Sequence, residues 1–245
     1  MTVIVVVPIY KPRPDALEVQ SMDVSFAALA GRRIVFIGPA GLDIGFYTSR
    51  YPGIDFVACD PVHFASIPGY NRLLLSPGFY ASFAPHEFML ILQTDAVVLR
   101  DELDHWCAQP FDYVGAPWPK PVELFVNLDQ FGGANGRHVR ATVGNGGLSL
   151  RRQWKCVQLL AEFPQAIDYF LQSGSSEDLY FSLLGSLSRD FVLPNEVTAS
   201  MFAMELQPSY YFAINGGQEP MGGHAWWKYE PEFWRARMPA LAMAA

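Results

Sequence analysis

Charge is scarce in this sequence: Asp, Glu, Lys and Arg make up 17% of the 245 residues, against 51% hydrophobic. Disordered chains show the opposite balance, so this one folds around a core. A basic surplus is also missing, since 17 Lys and Arg face 24 acids for a net charge of −7. Proteins that track nucleic-acid phosphates depend on positive charge, and that class is set aside. Cysteine is sparse as well. Cys59, Cys107 and Cys156 form no CxxC pair, which excludes a zinc knuckle or a disulfide framework and suits a reducing, cytoplasmic compartment. Long apolar runs are lacking: Val3–Ile9 is cut by Pro8, has no basic lead and is followed by no small-residue cleavage site. No stretch reaches the roughly 18 apolar residues of a membrane helix. Without repeats, linkers or low-complexity tracts, residues 1–245 are expected to form one unit.

What is present alternates between two periods. Thr2–Ile9 is a continuous β-branched run, as expected for a strand buried on both faces. Leu17, Met22, Phe26 and Leu29 fall near helical spacing between Asp15 and Gly31. Further strands are expected at 33–37, 54–58 and 87–92, with a helical stretch at 69–75 between the last two. Strands alternating with helices give a Rossmann-like α/β fold with a mostly parallel sheet. The second half is less regular. Short strands are expected at 112–115 and 147–150, and helices at 153–163 and 176–187. The polar stretch from Pro117 to Thr142 reads as a long functional loop.

Five local groups carry chemistry. Gln93-Thr94-Asp95 follows a buried strand, where open α/β sheets bind ligands, and Asp95 either holds a divalent cation or caps a turn. Arg72, in the 69–75 helix, either clamps a diphosphate, pairs with Asp95 or sits on the surface. Gly144-Asn-Gly-Gly-Leu-Ser-Leu-Arg151 allows close backbone approach to a ligand or a tight turn. Glu177-Asp178 supplies either a general base or negative charge for a helix N-terminus. Gly222-Gly-His-Ala-Trp-Trp-Lys228 gathers a ligating imidazole (His224), stacking indoles (Trp226, Trp227) and an ammonium, although a histidine in an aromatic tail is more often simply packed.

The order of these segments resembles the GT-A-fold nucleotide-sugar glycosyltransferases along essentially the whole chain. Tyr70–Leu75 with Gln93–Asp95 looks like the retaining galactosyl- and glycogenin-type families. Gly146–Arg151 with Glu177-Asp178 is more similar to the inverting β-galactosyl- and N-acetylglucosaminyl-transferases. The GYNRLLLSPGFY and GNGGLSLRR segments also resemble a bacterial GT-A-like family known only as a domain of unknown function. The resemblance implies a GT-A-type single domain, with a nucleotide-sugar half (1–105) and an acceptor and catalytic half (106–245). It implies that Asp95 and His224 ligate Mn²⁺ or Mg²⁺, and that Arg72 and Lys228 hold the donor diphosphate. Pro8, Ile9 and Tyr10 then receive the nucleobase, Gln93 and Thr94 line the donor, and Gly146 and Gly147 floor the sugar. Asp178, or else Glu177, acts as the base, and Trp226 and Trp227 meet the acceptor.

One departure bears on the metal. Gln93 stands where the family has the first acid of Asp-x-Asp, and it offers only a neutral carbonyl. Arg72, Lys228 or Arg151 would then supply part of the missing charge compensation. His224 and Lys228 also lack the longer Gly-Lys-Pro-Trp ending. The expected activity is transfer of a sugar, with a UDP-sugar as the first candidate donor, to a hydroxyl on a glycan or lipid-linked acceptor, with inversion. Such chemistry serves polysaccharide biosynthesis at the inner membrane face, reached by peripheral contact. A non-catalytic carbohydrate- or nucleotide-binding protein on a degenerate transferase fold is the alternative. A nucleotidyltransferase ranks last, because Pro8–Arg13 lacks the glycines of its loop.

Overall fold

The computed structural model describes residues 1–126 and 137–238. In chain order the strands are β1 (Val3–Pro8), β2 (Arg33–Pro39), β3 (Asp55–Cys59), β4 (Phe88–Leu92), β5 (Ala96–Val98) and β6 (Tyr113–Val114). They continue as β7 (Pro117–Val126), β8 (Arg137–Val143), β9 (Leu148–Arg152), β10 (Ala203–Met204) and β11 (Gly222–His224). Six of them form the central sheet in the order β3-β2-β1-β4-β9-β6. β1, β2, β3 and β4 are mutually parallel, whereas β9 runs antiparallel to both of its neighbours.

The β-branched run at the start of the chain is buried on both sides. Ile4 and Val6 join a core with Val35, Ile37, Met89 and Ile91, roofed by Leu73, Phe79, Leu159 and Phe181. Val5 and Val7 face the opposite core, with Phe36, Leu90, Met22, Leu103, Trp106 and Phe202. A strand between two helical layers has no polar face, which accounts for its missing alternation.

The expected first helix is found at Ala16–Ala28. Asp15 caps it by accepting from the Glu18 amide, and the Glu18 carboxylate accepts from the Asp15 amide in turn to complete a capping box. Gly31, at φ +89, ends the turn beyond it. The 69–75 helix spans Ile67–Leu74, capped by Ser66, and Pro77 starts another short helix at the expected break.

Residues 117–142 are a correction. The expected long loop is an antiparallel pair, β7 with β8, whose connecting segment lies outside the described residues. Val139 and Ala141 enter the core against the Glu177–Leu187 helix, so apolar burial outweighs the polar composition. The aromatic tail is also more ordered than its composition suggests. It supplies β11, which pairs with β5 and β10 in a three-stranded sheet beside the carboxyl end of β4.

Candidate active site

The site is built where β4 ends and the small sheet begins. β4 releases Gln93-Thr94-Asp95, and β5 starts at once at Ala96, which pairs with His224 of β11. Asp95 and His224 therefore meet: Nε2 of His224 lies 3.0 Å from Oδ1 of Asp95. After His224 the chain turns sharply through Ala225, at φ +48, and the Ala225 amide donates to the Asp95 carbonyl. An alanine in this left-handed region is strained, and such strain persists only where surrounding contacts impose it. The turn brings Nζ of Lys228 to 3.4 Å from Oδ2 of Asp95.

A second carboxylate completes the group. Oε2 of Glu205, just beyond β10, is 3.1 Å from Nδ1 of His224. Burial opposes charge on the imidazole, yet Asp95 and then Glu205 hold its pKa up at about 10. Burial likewise resists ionisation of Asp95, but the hydrogen bond and charge of His224, with Lys228, bring that carboxyl down to about 2. The array is two anions against two cations.

The glycine segment closes the other side. A methyl on Gly147 would fall 2.3 Å from Cδ2 and Nε2 of His224, so the ring lies directly against the backbone there. Gly147 is tied to β4 by the Gln93 amide, which donates to its carbonyl at 2.9 Å. Asn145, in the left-handed region at φ +47, turns the chain into Gly146, whose amide donates to Oδ2 of Asp178 at 3.0 Å. Asp178, Gly146, Gly147, His224, Asp95 and Lys228 thus form one continuous line of contacts.

Several expected residues are placed otherwise. Glu177 is buried and pairs at 2.9 Å with the fully buried Arg151, which also reaches Ser149 and the Tyr80 hydroxyl. Burial raises the Glu177 pKa against the pull of Arg151. This pair supports Gly146 from beneath: a methyl on Gly146 would sit 2.3 Å from Oε1 of Glu177. Both side chains are thus buried in this pair, whereas Asp178 beside them is only half-buried. Trp226, expected at the acceptor, has its ring in the core, and its indole N–H donates to Ser21. Trp227 packs edge-on against it, half-buried beside the same cluster. The Thr94 hydroxyl donates to the buried Glu18 carboxylate, which also holds Lys11. Arg72 is exposed and makes no ion pair or hydrogen bond among the described residues; Asp95 is paired by His224 and Lys228 instead. Pro8 and Ile9 are buried, whereas Tyr10 is exposed at the end of β1 under the Lys11 ammonium. A depression of about 430 Å³ lined by Gln158, Glu162, Arg189 and Asp190 contains none of these groups.

Glu205 could have been sought as an acid closing a short apolar run, Met201–Met204, much as Asp95 closes β4. No motif marks it.

The family model for proteins of unknown function, DUF5672, matches residues 53–224, from just before β3 to His224. The chain belongs to this family. The match contains every member of the contact line except Lys228. No curated protein matches this DUF5672 member. Among solved structures it is similar to the galactosyltransferase LgtC in complex with donor and acceptor sugar analogs, at 17% identity and TM-score 0.54, over 96% of this chain and 100% of that one. An active-site mutant of LgtC gives 16% and 0.52, over 90% and 86% of the two chains. The bifunctional glycosyltransferase WbbM, in its apo form, gives 12% and 0.50 over 91% of this chain and 45% of its own. These likenesses establish the GT-A glycosyltransferase fold. Among the described residues no helix is long and apolar enough to cross a membrane.

Proposed function

We propose that this protein is a glycosyltransferase that moves a sugar from a nucleotide-diphosphate sugar, with a UDP-sugar as the leading candidate, to a hydroxyl on a glycan or lipid-linked glycan, with inversion. The observation that carries this reading is the contact line from Asp178 through Gly146 and Gly147 to His224, Asp95 and Lys228. It joins a carboxylate at one end to a charged cluster at the other through two adjacent glycines.

The reaction has two difficulties: a departing diphosphate and an alcohol that is a poor nucleophile. Lys228, more than half exposed, presents its ammonium at the cluster and would bind diphosphate oxygens. The donor atoms suit a divalent cation in part. Asp95 and Nε2 of His224 are close enough to converge on one ion, but no group of three His, Cys, Asp or Glu suited to a metal occurs among the described residues. Diphosphate oxygens or water would complete the shell, as Mn²⁺ and Mg²⁺ tolerate. Bound there, a cation would stabilise charge on the leaving diphosphate. Asp178 accepts the proton of the acceptor hydroxyl; the Gly146 and Leu179 amides each donate to one of its oxygens, and the half-buried carboxylate stays within reach of solvent. Gly146 and Gly147 would let the sugar approach the backbone closely, and Tyr10 offers the base an exposed ring.

Calorimetric titration of UDP and GDP, each with Mn²⁺ and with EDTA, tests the reading. Metal-dependent binding of one nucleotide is expected. Metal-independent binding would keep the transferase and assign charge compensation to Lys228. Failure of both nucleotides would favour a second reading, a non-catalytic binding protein on a degenerate transferase fold. That reading draws on Gln93 in place of an acid, and on an Asp95 already neutralised by His224 and Lys228.

A further inference from the structure

His224 is held between two carboxylates that arrive on neighbouring strands. In the small sheet β11 is central, with β5 antiparallel on one side and β10 parallel on the other. His224 pairs with Ala96, whose preceding residue is Asp95. Gly223 pairs with Met204, whose following residue is Glu205. One residue of register on each side therefore sets an acid against each ring nitrogen: Asp95 at 3.0 Å from Nε2 and Glu205 at 3.1 Å from Nδ1.

The two contacts differ in kind. The Asp95 contact faces the glycine floor and Lys228. At the Glu205 contact Oε2 and Nδ1 lie 3.1 Å apart, and both are sealed from solvent. Neither Oε2 of Glu205 nor Nδ1 of His224 has another partner among the described residues. Two buried polar atoms left facing each other have one economical arrangement: Nδ1 carries a proton toward Glu205, which leaves Nε2 as the outward nitrogen. Gly147, against the ring face, keeps the imidazole in that plane.

We infer that Glu205 is a positioning residue, which fixes His224 through Nδ1 so that Nε2 is aimed at Asp95, where the two side chains would together hold a cation. The inference rests on the metal reading of the site given above, and it concerns a residue that touches neither donor nor cation. A carboxylate behind a ligating imidazole fixes its tautomer and raises its basicity, and loss of such a partner typically weakens metal affinity about 10–100-fold.

Two variants test it. Glu205→Met fills similar space without an acceptor, and Glu205→Gln keeps an oxygen but no charge. Thermal melts in EDTA check that both fold. Mn²⁺ affinity in the presence of UDP is expected to fall about 10–100-fold in Glu205→Met, with Glu205→Gln between it and the wild type. Nitrogen NMR of the metal-free protein is expected to show Nδ1 of His224 protonated in the wild type and altered in Glu205→Met. Equal Mn²⁺ affinity in a folded Glu205→Met and the wild type would overturn the inference. So would an Nδ1 signal insensitive to the substitution. If wild type binds no Mn²⁺, the metal reading and the aim at a cation both fall, while the NMR comparison still decides whether Glu205 orients His224. If Glu205→Met fails to fold, wild-type affinity in Glu205→Gln would overturn the inference.

Discussion

Asp178 and Glu177 are adjacent in sequence and opposite in surroundings. Glu177 points into the core against Arg151, while Asp178 stays half-buried on the Gly146 amide. Asp178→Asn is therefore expected to lower turnover by about 10²–10⁴-fold while leaving donor affinity within a small factor of wild type. Initial rates beside calorimetric donor titrations check this; weakened donor binding with normal turnover would remove Asp178 from the chemistry. Across the site, His224 and Asp95 stabilise each other in the metal-free protein. The His224 contribution is complete below its ordinary value of 6.5 and fades as pH rises through about 10. The Asp95 contribution is complete above 3.8 and fades as pH falls through about 2. The stability advantage of wild type over Asp95→Asn, both in EDTA, should be widest between about pH 4 and 6.5 and shrink toward pH 10. Thermal melts across that range would show it, and a gap that widens with pH would contradict the charged pair.

At the level of elements, the two supports of the glycine segment should respond differently to substitution. Gly147→Ala forces a methyl into the imidazole of His224, so it should lower metal and donor affinity more than stability, as paired melts and titrations would reveal. The Arg151–Glu177 pair joins β9 to the Glu177–Leu187 helix in a fully buried setting. Glu177→Leu alone leaves an uncompensated guanidinium and should cost about 3–5 kcal/mol. Arg151→Met combined with Glu177→Leu should recover most of that loss in denaturant melts. Elements were legible in the sequence where burial and composition agree. β1, β2 and β4 announce themselves as apolar runs, and Asp15 and Gly31 bracket their helix. The β7–β8 pair was hidden because polar residues dominate strands that bury only single positions such as Val139 and Ala141. Asp95, His224 and Lys228 were legible as members of recurring motifs. Glu205 was not, because its role depends on the register between two short strands far apart in sequence. Trp226 was harder to place for a related reason: an indole suits a sugar face and a core equally well, and its burial and its bond to Ser21 of the first helix depend on contacts far apart in sequence.

Across the whole molecule, the three thiols report on packing. Burial raises the Cys107 pKa to about 12, and Cys156 lies wholly inside; Cys59 is half-buried and only partly shielded. Alkylation of the native protein should modify Cys59 alone and slowly, with the other two reacting only in denaturant. Mass spectrometry of the labelled chain would count them. Rapid modification of all three would contradict the closed cores on both faces of the sheet.

The position of β1 has a practical side for anyone cutting this gene. The family match begins at residue 53, and an expression fragment trimmed to that limit would omit β1 and β2. β1 is the strand to which β2 and β4 both bond, so trimming would not shorten the sheet at its rim. It would strip β4, the strand that delivers Asp95, of its parallel partner and leave that edge bare and apolar, with only β9 still bonded to it. Such a fragment should accumulate as aggregate, and Tyr10, Lys11 and the Glu18 tie to Thr94 would be lost with it.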